Sequence, residues 1–174
     1  MTSLHTIDGI AYELSALQSL SELPASPHST TLLDHFQIPG TEGIGPHLCL
    51  IIPLYGGDVR SFMLKACDDG VPPFTLAKRV LYHALLGLHH AHSRGWIHTD
   101  LKRDNIFYEN RMSDSELWAW LENNPPRMHA PERSYDSSVV QAAMSQPLPI
   151  TSMKKAMEST FVLGDYSCCA SVSS

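Results

Sequence analysis

Apolar residues recur at helical spacing in several places along this chain. Ile10, Leu14, Leu17 and Leu20 share a face within residues 8–22, and Pro24 stops the run. Val59, Phe62, Met63 and Ala66 fall at i, i+3, i+4 and i+7 behind Asp58, a residue suited to capping a helix. The clearest period runs through Leu76, Val80, Ala84, Leu88 and Ala91; it predicts a helix over 75–94, capped by Thr75 and ended by Gly95. SDSE at 113–116 has the form of a capping box ahead of Leu117, Trp118 and Leu121, and Pro125–Pro126 closes that helix.

Between these helices lie shorter apolar runs bounded by turn residues. TLLDHFQI (31–38) and LCLIIPL (48–54) predict strands, joined by PGTEGIGP (39–46), and Gly56–Gly57 breaks the second. Short strands are expected around Trp96–Ile97 and Ile106–Tyr108, and FVLGDY (161–166) returns to strand before a polar tail, CCASVSS. Residues 123–152 are rich in Pro, Ser, Asn and Met without a period and read as a mobile insertion.

The composition narrows the function classes. With 12 Lys plus Arg against 18 Asp plus Glu, the formal charge is −6, which argues against direct nucleic-acid binding and anionic lipid. The longest apolar run, 48–54, is too short for a membrane span, and the first residues lack the pattern of a signal peptide. The four cysteines, Cys49, Cys67, Cys168 and Cys169, show no framework spacing, so a reducing compartment, cytoplasm or nucleus, is expected. His89 and His92 share a helix face, but no nearby Cys or Glu completes a metal set.

The chemistry concentrates in WIHTDLKRDNIF (96–107), where His98, Asp100, Lys102 and Asn105 stand at fixed offsets between apolar pairs. Phosphoryl transfer from ATP needs a carboxylate to orient and deprotonate the attacking hydroxyl, a cation beside the transferred phosphate, and oxygen ligands for Mg²⁺. Asp100 can supply the first, Lys102 the second, and Asn105 with Asp165 the third. A surface turn with unrelated polar residues is the plainer alternative.

HTDLKRDNIF resembles the protein-kinase catalytic loop, His-Arg-Asp-Leu-Lys-x-x-Asn, and FVLGDYS resembles the strand and Asp-Phe-Gly turn that follow it. The upstream order agrees: YELSALQSL (12–20) is similar to helix C with Glu13 at the Lys-pairing position, LCLIIPLYGGD to the strand and hinge, and helix 75–94 to helix E. The resemblance implies an α+β, partial protein-kinase-like fold. Residues 1–54 would be a remnant of the small lobe and 55–174 the start of the large lobe. It implies ATP and Mg²⁺ as cofactors and Ser/Thr-containing proteins as substrates. Asp100, Lys102 and Asn105 would be catalytic, Ile52, Leu54 and Asp58 would contact nucleotide, and Asn105 and Asp165 would hold Mg²⁺.

Thr99 in place of the loop Arg, together with LLDHFQIPGTEGIGPHLCLI (32–51), is similar to SR-protein kinases and their fungal relatives. That likeness implies Arg/Ser-rich substrates and activity independent of a phosphorylated activation loop. The chain departs from the family pattern in carrying no G-x-G-x-x-G loop and no Lys of the Val-Ala-Ile-Lys type, and in placing Ser167 where the flexible Gly belongs. The activation segment and the later large-lobe helices are also not present, so the chain reads as truncated at both ends. The expectation is a chain that phosphorylates weakly or not at all. A non-catalytic pseudokinase scaffold and a small-molecule phosphotransferase are the alternatives; Lys102 argues against the last.

Overall fold

The computed structural model describes residues 3–40, 45–133 and 137–172, with side chains of the first helix from residue 12 onward. They form two compact units, Met1–Glu109 with Ile150–Ser174, and Asn110–Pro149. Secondary structure is mixed, and the class is α+β, as expected. Among the described residues no helix is long and apolar enough to cross a membrane.

The first unit begins with α1 (Ser3–Ser21). Ala16, Leu17 and Leu20 are buried along it, so the helical period was read correctly from residue 12 onward; Ile10 lies outside the described side chains. The Ser21 hydroxyl takes up the last turn by donating to the Leu17 carbonyl, and accepts from the Leu32 amide at 2.7 Å. The strand expected over 31–38 starts only at Asp34, after this contact. β1 (Asp34–Ile38) then pairs antiparallel with β2 (His47–Ile51), Phe36 opposite Cys49. The turn between them lies partly outside the described residues. Strand β2 ends at Ile51, ahead of Pro53, which has no N–H for a ladder.

β3 (Tyr55–Asp58) runs directly into α2 (Val59–Ala66), where the Asp58 carboxylate accepts from the Ser61 amide at 2.7 Å and caps the helix. Val59, Phe62 and Met63 are buried, as their spacing predicted. Helix α3 (Phe74–Ser93) buries Leu76, Val80, Ala84 and Ala91. Fully burying a Leu or Val side chain contributes about 1.5–3 kcal/mol, an Ala methyl about 0.8 kcal/mol. Thr75 does not cap this helix: Pro73 occupies the cap, the Ala77 amide donates to the Pro73 carbonyl, and Thr75 is already inside the first turn. Gly95 ends the helix with φ of +77°, the left-handed conformation that glycine adopts without a Cβ penalty.

β4 (Trp96–Ile97), β5 (Ile106–Glu109), α5 (Met153–Glu158), β8 (Phe161–Leu163) and β9 (Ala170–Ser171) complete this unit. The central sheet has the order β3-β5-β8, all antiparallel, with Ile106 opposite Leu163 and Asp58 opposite Phe107. Helix α3 packs on β8 so closely that a Cβ at Gly87 would stand 2.3 Å from the His28 carbonyl and 2.9 Å from Leu163 Cβ. Within the stretch read as a polar tail, Ala170–Ser171 form β9, paired with β4, Trp96 opposite Ser171. Polar side chains do not stop a backbone from completing a ladder when a free strand edge lies alongside.

In the second unit, α4 (Asp114–Asn123) begins with the predicted capping box: the Ser113 hydroxyl accepts from the Glu116 amide, and Glu116 accepts from the Ser113 amide at 2.7 Å. A short hairpin, β6 (Glu132–Arg133) with β7 (Val139–Val140), continues through a bridge between Met128 and Ala143.

Candidate functional site

The segment between β4 and β5 folds into a tight loop around buried His98. Asp100 N–H donates to His98 Nδ1 at 3.3 Å, which leaves Nε2 to carry the ring proton and donate to the Gly164 carbonyl at 2.9 Å. The ring lies against Tyr166, centroids 4.9 Å apart. His98 is therefore a buried structural histidine, and it ties the loop to the turn after β8.

Asp100, Lys102 and Asn105 come together. Lys102 Nζ lies 2.5 Å from Asp100 Oδ2, and Asn105 Nδ2 donates to the same oxygen and to the Asp100 carbonyl, both at 3.0 Å. The Lys102 ammonium, with help from the Asn105 amide, holds the Asp100 carboxyl below the usual carboxylate range; Asp100 in turn pushes the Lys102 ammonium up. Asp100 is thus a carboxylate at neutral pH, oriented by two donors and still open to solvent. A hydroxyl brought to it meets an acceptor with an ammonium alongside.

Asp165 joins from the turn after β8. The Gly164 amide donates to the Asn105 carbonyl at 3.0 Å, which brings the turn onto the loop. Asp165 has φ of +60°, and its Oδ1 accepts from the Ser167 hydroxyl at 2.6 Å. Its charge reaches both Lys102 and Glu13. Glu13, half-buried on α1, has its carboxyl pushed up by burial first and by Asp165 second, and no ion pair neutralises it among the described residues. Helix α1 therefore lies against the Asp165 turn with an excess of negative charge between them.

That charge balance fits Mg²⁺. Asn105 spends its amide N–H₂ on Asp100, which leaves Oδ1 as the group for a cation, and Asp165 keeps Oδ2. Mg²⁺ is commonly held by one or two protein oxygens, with water and phosphates completing the octahedron. No group of three His, Cys, Asp or Glu side chains suited to a metal occurs among the described residues, so the cation would depend on the phosphates for the rest of its shell.

The remaining predicted residues lie elsewhere on the frame. Ile52 and Leu54 are exposed on the connection from β2 to β3. Asp58 caps α2 and pairs with Phe107, two residues beyond Asn105. Two contacts from α2 reach the loop and were not read from the sequence: Arg60 pairs with Asp104 at 3.6 Å, and Arg103 reaches the Met63 sulfur.

The sequence that builds this site is similar to parts of two known proteins. Over 115 residues the chain is 28% identical to the Serine/threonine-protein kinase pim-2 of Danio rerio, covering 64% of this chain and 35% of that protein. The chain shares distant homology with Ser/Thr protein kinases. Over 47 residues it is 51% identical to Protein kinase ORF73 of Ictalurid herpesvirus 1, covering 26% of this chain and 5% of that protein. It thus spans about a third or less of the length of these relatives. No family model matches the chain. The α+β arrangement is compatible with a partial kinase-like fold.

Proposed function

We propose that this chain carries the catalytic-loop and metal-side half of a Ser/Thr protein-kinase site, with Asp100 as the acceptor of the substrate hydroxyl proton. The observation that supports this most is the shared oxygen Asp100 Oδ2, held at once by Lys102 and Asn105. Lys102 would then neutralise charge on the transferring phosphoryl group, and Asn105 Oδ1 and Asp165 would hold Mg²⁺ against the nucleotide phosphates. Ile52, Leu54 and Asp58 would border the adenosine. Bound Mg²⁺·ATP supplies the phosphoryl group; the chain's own residues orient the hydroxyl and take its proton.

The given residues include no Gly-rich phosphate loop, and Glu13 has no cation partner among those described. Positioning and charge stabilisation supply nearly all of this catalysis. The chain by itself should therefore transfer phosphate poorly, and a nucleotide-binding scaffold is the form its activity takes under the second reading. The finer placement beside SR-protein kinases, with Arg/Ser-rich protein substrates, rests on Thr99 and on residues 32–51. A cytoplasmic or nuclear location goes with that reading.

The test is a thermal melt with and without Mg²⁺·ATP, repeated on Asp165→Ala. At a hundred times its Kd the ligand should stabilise the fold by about 2.7 kcal/mol. A shift abolished by Asp165→Ala supports the site; a cooperative melt that ignores Mg²⁺·ATP overturns it.

A further inference from the structure

Thr99 holds a backbone conformation that β-branched residues rarely adopt, φ of +61°. In that conformation its hydroxyl crosses to a segment 69 residues away and donates to the Cys168 carbonyl at 2.5 Å. The contact lands three residues past Asp165, which is itself left-handed at φ of +60°. The loop thus grips the Asp165 turn on both sides. Upstream, both backbone groups of Gly164 are taken, its amide by the Asn105 carbonyl and its carbonyl by His98 Nε2. Downstream, Ala170 and Ser171 pair with Ile97 and Trp96, and the Val172 amide donates to the Gly95 carbonyl at 2.7 Å. Between these two grips the Thr99 hydroxyl holds the backbone three residues past Asp165, beyond Tyr166, which is itself held by His98 and Ser29. Just beyond it, Cys169 is buried, its Sγ directed at the Tyr12 carbonyl of α1 at 3.7 Å.

We propose that Thr99 is a positioning residue: its hydroxyl latches the Cys168 carbonyl and so keeps the Asp165 carboxylate beside Lys102 and Asn105. The inference rests on the reading of Asp165 as the metal-side carboxylate. The exposed Thr99 hydroxyl has its partner close to the turn. Thr99 finds it in the backbone itself, so the turn is held by groups always present and not by an added charge. Ser167 completes the arrangement from inside the turn, fixing one oxygen of Asp165 and leaving the other.

The experiment compares Thr99→Val, which keeps the branched shape and removes the donor, with Thr99→Ser, which keeps the donor. The full chain is treated with N-ethylmaleimide in the absence of nucleotide, and alkylation of Cys169 is followed by mass spectrometry with exposed Cys168 as internal reference. The Mg²⁺ concentration giving half of the ATP-induced thermal shift is measured in parallel. Thr99→Val should label Cys169 about tenfold faster, the population effect of one net hydrogen bond, and should need correspondingly more Mg²⁺. Thr99→Ser should restore both. Labelling of Thr99→Val at the wild-type rate overturns the latch. If Thr99→Val gives no cooperative melt, Thr99→Gly replaces it: glycine relaxes the backbone yet lacks the hydroxyl, so faster labelling supports the latch and wild-type labelling overturns it. A wild-type chain with no response to Mg²⁺·ATP counts against the proposed function, while the labelling still decides the latch.

Discussion

Tyr166 and Ser29, 137 positions apart in the sequence, join their hydroxyls in a buried hydrogen bond of 2.9 Å. Tyr166 is fully buried against His98, its phenol pushed up to about 12 chiefly by that burial. The pair connects the segment after α1 to the turn that carries Asp165. Removing one hydroxyl strands the other in the interior, at a cost of about 1–3 kcal/mol, whereas removing both is close to neutral. Tyr166→Phe and Ser29→Ala should each lower stability in urea unfolding, and the double variant should lose clearly less than their sum. Simple additivity would show that the hydroxyls do not act as a pair.

His83 makes stability pH-dependent in the mildly acid range. Its ring stacks near His28, centroids 4.2 Å apart, and its Nδ1 accepts from the Phe161 amide at 3.0 Å. Burial first, then His28 and Arg79, push its pKa down to about 4 from the ordinary 6.5. The unfolded chain therefore binds the proton more readily than the folded one between these values. The contribution is complete above pH 6.5, falls as pH drops through that window, and is gone below about pH 4. At about 1.4 kcal/mol per pH unit its ceiling is roughly 3.5 kcal/mol, which solvent screening lowers. His83→Gln should flatten this part of the stability profile, and a wild-type slope unchanged in the variant would rule out His83 as its source.

Gly87 is required by contact and not by backbone conformation. A Cβ there would press on the His28 carbonyl and Leu163 Cβ, groups that belong to rigid backbone and core. Gly87→Ala should therefore destabilise by about 1–3 kcal/mol, the usual cost of overpacking, despite alanine's better helix propensity. A melting temperature at or above that of the wild type would show that α3 can move away from β8.

Asp100→Asn separates chemistry from folding. Asp100 is partly exposed and its carboxylate serves only Lys102 and Asn105 in the loop, so the fold should melt within a few degrees of wild type. Any phosphate transfer to a Ser-containing peptide should fall about 10²–10⁴-fold, the usual contribution of a positioned acid or base. Radiolabel transfer from ATP measures this directly. Robust Mg²⁺-dependent transfer by the wild-type chain, unaffected by Asp100→Asn, would remove Asp100 from its proposed role.

Much of this was legible along the chain because it is local. The buried faces of α2 and α3 follow from spacing within a few turns, and Asp58 and Ser113 cap helices because their partners lie three residues away. Asp100, Lys102 and Asn105 fall within six residues, so a motif can bring them to one oxygen. Local rules also misled: Thr75 looked like a cap, but Pro73 already held that position, and residues 168–174 looked like a tail until β4 offered an edge to β9.

The sequence by itself determined α2, α3 and α4, their apolar faces and the chemical identities at the loop, since each depends on neighbours in the chain; α5 was not read from it. Only the tertiary structure decided that Thr99 meets Cys168, that Ser29 meets Tyr166, and that Glu13 lies within reach of Asp165 without a cation between them. Those partners are separated by tens of residues or more. No periodicity links them; they meet because tertiary packing brings α1, the loop after β4 and the turn after β8 together.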